Sequence, residues 1–182
     1  MKKIYFLPLL ALTLFACGKE EAPALPPLDP ETTYYTSKLT ADLSTMDTDK
    51  AGSLEDVDIS IKSDEDENVS YEFTIGAGSY KKQGTDVFEI IVQGNSYIKS
   101  KAAYKVNRII IDYWGGKGAN FTVYGGDEAK EGHKSDIPPA DIKDNGAVVN
   151  EYEINSRSWS IVNDGSTNKK TSIYSVTVIY EK

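Results

Sequence analysis

The sequence predicts an all-β fold, an antiparallel β-sandwich, and two features of the chain lead to that prediction. Apolar and polar side chains alternate along segments such as 57–62 and 69–75, which is typical of strands with one buried face. Turn sequences containing Gly, Asn or Asp separate these segments at short intervals. Since no convincing amphipathic helix follows residue 38, two packed sheets are the expected architecture.

About nine strands are expected, each rich in Val, Ile, Thr or Tyr. They are 57–62, 69–75, 87–92, 96–99, 106–114, 120–124, 151–154, 158–162 and 172–180. The longest interval without strand character, 127–148, is expected to be a loop. The strands together predict a single sandwich domain over residues 38–182.

The first sixteen residues have the layout of an export signal. Lys2 and Lys3 supply positive charge, and the apolar run that follows is shorter than the roughly 20 residues a spanning helix needs. The run ends in Leu14-Phe15-Ala16-Cys17, which resembles the lipobox of bacterial lipoproteins. The resemblance implies that residues 1–16 are removed and that Cys17 carries lipid, with acyl chains such as palmitate. The alternative is an ordinary signal peptide with an incidental cysteine.

Residues 17–37 are expected to form the lipidated N-terminus and a tether. Four prolines between positions 18 and 30 preclude regular helix and favour an extended chain. Directly behind the cysteine, Lys19-Glu20-Glu21 resembles the lysine-plus-acidic signal that places lipoproteins of the Bacteroidetes on the outer face of the outer membrane. This resemblance implies a lipid-anchored protein at the cell surface.

Charge and composition disfavour several classes of function. Without Lys2 and Lys3 the chain has 18 basic and 28 acidic residues, a formal charge of −10, which argues against nucleic acid as a partner. Cys17 is the only cysteine, and His133 is the only histidine and lies in a charged stretch, where we expect a solvated loop residue. Carboxylates are abundant, but no spacing selects a glycosidase pair. We therefore expect no catalytic residues, with a small hydrolase as a remote alternative.

The second half of the chain has a strand pattern similar to that of jelly-roll domains. Residues 106–113 lead through a glycine turn to 120–125, which ends in Val-Tyr-Gly, and 173–180 closes the pattern with Ile, Val and Thr. Galactose-binding-like jelly rolls, many of them carbohydrate-binding modules of bacterial surface proteins, show this arrangement. The resemblance covers roughly residues 87–182 and implies a jelly-roll-like sandwich. It bears on architecture more than on ligand, because many functions share it.

Two acidic segments bear on metal binding. Residues 47–58 partly match a calcium loop, but Ala51 offers no side-chain oxygen and Asp58 stands where a bidentate Glu is usual. Residues 64–67 are four contiguous acids, whose side chains an extended chain would point apart, so a hairpin tip is expected. We predict no metal site and no cofactor, with structural calcium at 47–58 as the alternative.

Aromatic residues supply the candidate binding site. The chain has twelve tyrosines and two tryptophans, rings that are favoured where one edge is wet and on which sugars stack. The candidate ligand-binding residues are Asp112, Tyr113, Trp114, Arg157 and Trp159. Alternation puts Asp112 with Trp114, and Arg157 with Trp159, on the same strand faces. The alternative is that both tryptophans fill the core.

These observations favour a lipid-anchored, surface-exposed, non-catalytic module that binds glycan or another extracellular ligand. The alternative is a structural or protein-interaction lipoprotein of the cell envelope, whose exposed aromatic side chains contact a partner chain. Both interpretations place the protein at the membrane through its N-terminal lipid.

Overall fold

The computed structural model describes residues 25–41, 54–77, 79–83, 87–93, 96–102, 104–115, 121–126, 146–163 and 170–182. Within these ranges the secondary structure consists of eleven strands. They are β1 (Tyr35–Thr40), β2 (Val57–Lys62), β3 (Ser70–Ile75), β4 (Tyr80–Gln83), β5 (Val87–Gln93), β6 (Tyr97–Ser100), β7 (Lys105–Gly115), β8 (Thr122–Gly125), β9 (Gly146–Ser156), β10 (Trp159–Val162) and β11 (Lys170–Glu181). The export signal 1–16, Cys17, Lys19-Glu20-Glu21, residues 47–53 and His133 lie outside the described residues.

The strands form two antiparallel sheets, called sheet A and sheet B below. Sheet A has six strands in the order β4-β5-β11-β7-β9, with β1 also paired to β11, and sheet B has five in the order β2-β3-β6-β10-β8. From β5 to β11, each successive strand lies in the opposite sheet. This alternation is typical of a jelly roll. The predicted antiparallel, jelly-roll-like sandwich is confirmed.

All nine predicted strands are present, and β1 and β4 are additional. β1 begins at Tyr35, three residues before the boundary predicted between a tether at 17–37 and a domain at 38–182. The sequence pattern did not indicate β1 because the buried side of this strand includes the polar Ser37. The Ser37 hydroxyl lies 3.1 Å from the hydroxyl of Tyr180 and donates to the carbonyl of Ile61. A strand that buries a hydrogen-bonded serine lacks the apolar alternation that marks the others. At the other end of the chain, β9 begins at Gly146, inside the predicted loop 127–148.

The core lies between the sheets and contains a cluster of aromatic rings. Tyr71 of β3 contacts Phe73, with ring centroids 5.1 Å apart, and reaches across the sandwich to Tyr180 of β11 at 4.9 Å. Phe73 in turn meets Trp159 of β10 edge to face at 6.0 Å. Such pairs contribute about 0.5–1.5 kcal/mol each beyond the burial of their area. The cluster therefore ties the two sheets together.

Strand β11 is central to sheet A. It pairs with β7 along one edge. Along its other edge, residues 170–173 pair with β5 and residues 175–180 pair with β1. Its register with β7 shifts between Ile173 and Ser175, as in a β-bulge. The extra residue changes which positions face inward, so Ile173 and Val176 are both buried while Tyr174 between them is exposed.

The acidic segment 64–67 lies in the connection between β2 and β3, where a hairpin tip was expected. Glu65 accepts hydrogen bonds there from the Thr36 amide and the Ser63 hydroxyl. Burial alone would raise the pKa of Glu65, but these bonds lower it below its usual range. The carboxylate therefore joins the start of β1 to this turn.

Candidate functional site

Two of the five predicted ligand-binding residues lie in the core. Tyr113 is fully buried on β7, and Trp159 is only 2% exposed on β10. The Trp159 indole donates to the hydroxyl of Tyr71 at 2.8 Å, and the Tyr113 hydroxyl accepts from the Asn150 side chain at 3.0 Å. Burial, followed by the neighbouring Tyr152, raises the pKa of Tyr113 to about 12. Both side chains therefore face the interior, where each polar ring edge already has a partner.

Arg157 does not share a strand face with Trp159. It is exposed and lies in the connection between β9 and β10. Strand β10 begins only at Trp159, so the two-residue alternation that predicted a common face does not extend to Arg157. The pairing of Arg157 with Trp159 in one site is therefore wrong.

Asp112 and Trp114 do lie on a common outward face, that of sheet A. They alternate on β7 with the buried Ile111 and Tyr113, and the Trp114 side chain is 45% exposed. Of the two tryptophans, one therefore fills the core and the other reaches solvent. The predicted pairing of Asp112 with Trp114 holds in the structure.

Two further exposed side chains adjoin this pair. Val149 of β9 lies directly opposite Asp112 and is 63% exposed. Tyr174 of β11 is 41% exposed. It lies in the β-bulge, where Tyr174 and Ser175 together stand opposite Asp112. Side chains directly opposite each other on antiparallel strands lie about 4.5–5.5 Å apart at Cβ, so Val149 adjoins Asp112, and Trp114 follows Asp112 on the same face of β7. We call Asp112, Trp114, Val149 and Tyr174 the aromatic patch.

The Asp112 carboxylate gives the patch a polar centre. Its Oδ1 atom is buried and has no hydrogen-bond partner. A buried polar atom left without a partner costs about 1–3 kcal/mol, and such atoms are uncommon in native proteins. A hydroxyl or N–H donor brought by a ligand would supply the missing bond after rotation of the carboxylate.

The aromatic patch could be predicted only in part from the sequence. The alternation along β7 indicated Asp112 and Trp114, but Tyr174 lies in a segment whose simple alternation is interrupted by the bulge. Nothing in the sequence marks the bulge, since no glycine or proline occurs in 170–181. Val149 was missed because residues 127–148 were expected to be a loop that ended just before it.

A groove of about 450 Å³ crosses the outward face of sheet B. It runs over β6 and β10 and is lined by Tyr97, Lys99, Ser100, Gly126, Ser158, Trp159, Ser160 and Val162. The Lys99 ammonium lies 4.7 Å from the centroid of the Tyr97 ring. The Tyr97 hydroxyl donates to Asp56, and this bond is the main cause that raises the pKa of Tyr97 to about 12.

A charged cleft of about 320 Å³ lies where residues 26–34 cross the start of β7. The Arg108 guanidinium donates to the carbonyl of Pro26 and pairs with Glu151 at 2.8 Å. Lys105 and Asn107 both donate to Glu181, at 3.0 and 2.8 Å, and the bond from Asn107, then that from Lys105, lowers the pKa of Glu181. The charged groups of this cleft thus bind each other, and Arg108 also binds the N-terminal segment at Pro26.

Within the described ranges, no three His, Cys, Asp or Glu side chains are placed to hold a metal ion. The same part of the chain includes no helix that could cross a bilayer. Comparison of the chain with protein-family models, with curated proteins and with solved structures finds no match.

Proposed function

We propose that this protein is a lipid-anchored, surface-exposed, non-catalytic module that binds glycan on the aromatic patch. One observation carries the proposal: Trp114 and Tyr174 expose their rings on one sheet face, around an Asp112 oxygen without a hydrogen-bond partner. An exposed apolar surface of this kind marks an interaction site.

The chemistry of a sugar fits this combination. The C–H groups on one side of a pyranose ring are apolar and stack on an aromatic face, while its hydroxyls donate hydrogen bonds to a carboxylate. Trp114 and Asp112 offer both contacts from one strand. Since strands hold side chains more rigidly than loops do, little ordering is required when a ligand binds.

A glycan array probed with the full-length chain in detergent, with and without calcium, tests the proposal. Trp114→Ala should weaken binding of the captured glycan at least tenfold, as expected for an aromatic side chain at the centre of an interface. Leu54→Ala is the matched control, because Leu54 is 91% exposed and lies outside the patch. If the array captures no glycan, or if Trp114→Ala binds as well as Leu54→Ala, the glycan proposal fails.

The anchor rests on the signal-like start of the chain and on the lipobox-like residues before Cys17. Labelled palmitate should enter the protein in a bacterial host that processes lipoproteins, and Cys17→Ser should abolish the labelling. Protease added to intact cells should then remove the domain if it faces outward. Label that persists in Cys17→Ser would overturn the anchor, and complete protection from protease would overturn the surface location.

Protein docking on the same patch is the second candidate function. The observation that favours it is Val149, whose exposed aliphatic side chain suits a protein interface better than a sugar. A photo-crosslinking amino acid at Val149 in intact cells separates the two functions. A single dominant protein adduct favours docking, whereas competition by a soluble oligosaccharide favours glycan binding.

A further inference from the structure

The outward face of sheet B presents hydrogen-bonding groups in a row across three strands. Lys99 of β6 lies directly opposite Ser160 of β10, and Ser160 lies opposite Tyr124 of β8. Neighbouring strands are about 4.7–4.9 Å apart, so the backbone positions of Lys99, Ser160 and Tyr124 follow each other at that spacing. The spacing is close to the length of one sugar unit in an extended polysaccharide, so the row suits a chain lying across the strands.

Tyr97 adds an aromatic side chain to the same groove. It lies two residues before Lys99 on the same strand face, opposite Val162. Its hydroxyl is held by Asp56 and its ring by the Lys99 ammonium above it. The groove therefore offers a fixed ring beside a row of polar groups.

Lys99 has the one charged side chain among the described residues that line the groove. In the described part of the chain it forms no ion pair. Two carboxylates on this face bind other residues, since Asp56 accepts from Tyr97 while Asp58 binds Lys101 and Thr74. The Lys99 ammonium thus has no carboxylate partner within the described ranges, and an anionic ligand would supply one.

We propose that this groove is a second binding site, specific for a polysaccharide of uronic acids, in which the ammonium of Lys99 pairs with a sugar carboxylate. One cation among neutral hydroxyls matches the single charge of a carboxylate better than the double charge of a phosphate. The inference does not depend on the aromatic patch, because the two sites lie on the outward faces of opposite sheets.

Polygalacturonate and its fully methyl-esterified form are suitable probes, since they share one backbone and the carboxyl group is an anion in the first and a neutral methyl ester in the second. The full-length chain in detergent should bind the acid polymer at least tenfold more tightly than the ester, by affinity electrophoresis or calorimetry. Raising the salt concentration should reduce the difference. Equal binding of the two polymers, or binding of neither, would overturn the proposal.

Lys99→Met should abolish the preference for the acid polymer. Lys101→Met is the matched control, because Lys101 pairs with Asp58 and does not line the groove. Lys99→Arg, which keeps the charge, should retain at least part of the preference, and circular dichroism checks that each variant is folded. A preference that survives in folded Lys99→Met, or is lost equally in Lys101→Met, would overturn the role of Lys99.

Trp114→Ala distinguishes the two proposed sites. It should leave polygalacturonate binding unchanged, whereas Lys99→Met should leave binding at the aromatic patch unchanged. If the glycan array captures only uronic-acid polymers, through Lys99, the patch proposal fails and the groove proposal stands. Loss of polygalacturonate binding in folded Trp114→Ala would overturn the groove as a separate site.

Discussion

The indole nitrogen of Trp159 lies 2.8 Å from the hydroxyl oxygen of Tyr71, and both side chains are buried. The two residues belong to β10 and β3, which are separated in sheet B by β6. Burial raises the pKa of Tyr71 well above its ordinary value, although the bond from Trp159 opposes the shift. The bulky Trp159 is thus accommodated in the core because the Tyr71 oxygen accepts a hydrogen bond from its indole N–H.

Tyr71→Phe should destabilise the protein by about 1–3 kcal/mol, since it leaves the indole N–H of Trp159 buried without an acceptor. The free energy of unfolding from urea titrations measures the effect. In a double-mutant cycle with Trp159→Phe, the two losses should not add, because both changes remove the same bond. Additive losses would show that the bond contributes nothing of its own. Trp114→Phe, on the exposed face, should change stability by about 0.5 kcal/mol at most.

Stability should decline at high pH because of the buried tyrosines. The pKa of Tyr113 is raised by burial from 10.0 to about 12, and burial also raises those of Tyr152 and Tyr180. A raised pKa in the folded state means that folding favours the protonated form, so this contribution is fully present below pH 10. It is lost as the pH rises through about 12. Urea midpoints that stay constant from pH 9 to the onset of alkaline unfolding would contradict the expectation.

Asn155 adopts a left-handed backbone conformation, with φ of 48°. Glycine tolerates this conformation, whereas a Cβ atom strains it. Asn155→Ala should therefore be less stable than Asn155→Gly by about 1 kcal/mol. Both variants lose the hydrogen bond from Asn155 to Glu153, so that loss cancels in the comparison. Thermal unfolding of the two variants side by side measures the difference, and an Ala variant at least as stable as the Gly variant would refute the backbone argument.

Arg108 should hold residues 25–34 against sheet A. Arg108→Lys cannot make the same forked contacts with Glu151 and the Pro26 carbonyl. Losing a bond worth about 1 kcal/mol should raise amide hydrogen exchange in this segment about fivefold, with little change in β7. Hydrogen exchange with mass spectrometry measures both regions, and Lys38→Arg on the exposed side of β1 is a neutral control. Unchanged exchange at 25–34 would mean that Arg108 does not retain the segment.

The architecture could be predicted from the sequence because apolar and polar residues alternate along most strands of the sandwich. In β10, Trp159 and Ile161 alternate with Ser160, so the inward position of Trp159 was visible in the pattern. In β7, three consecutive isoleucines precede Asp112, so the pattern alone could not decide which face is buried. That decision comes from packing against the opposite sheet, which no local pattern encodes.

The candidate site was harder to predict than the fold because it depends on contacts between distant segments. The aromatic patch joins β7, β9 and β11, and the local sequence indicated only that Asp112 and Trp114 of β7 share a face. The outward face of sheet B brings Lys99 beside Ser160 and Tyr124, three half-buried residues that are remote in sequence. Register, rather than residue type, brings them together.

The central place of β11 has a consequence for biosynthesis. Residues 170–181 supply the partner for β1, β5 and β7, so sheet A cannot assemble before this segment has left the ribosome. Deletion of the same residues should yield aggregation and degradation of the product, since three strands would be left with open hydrogen-bonding edges.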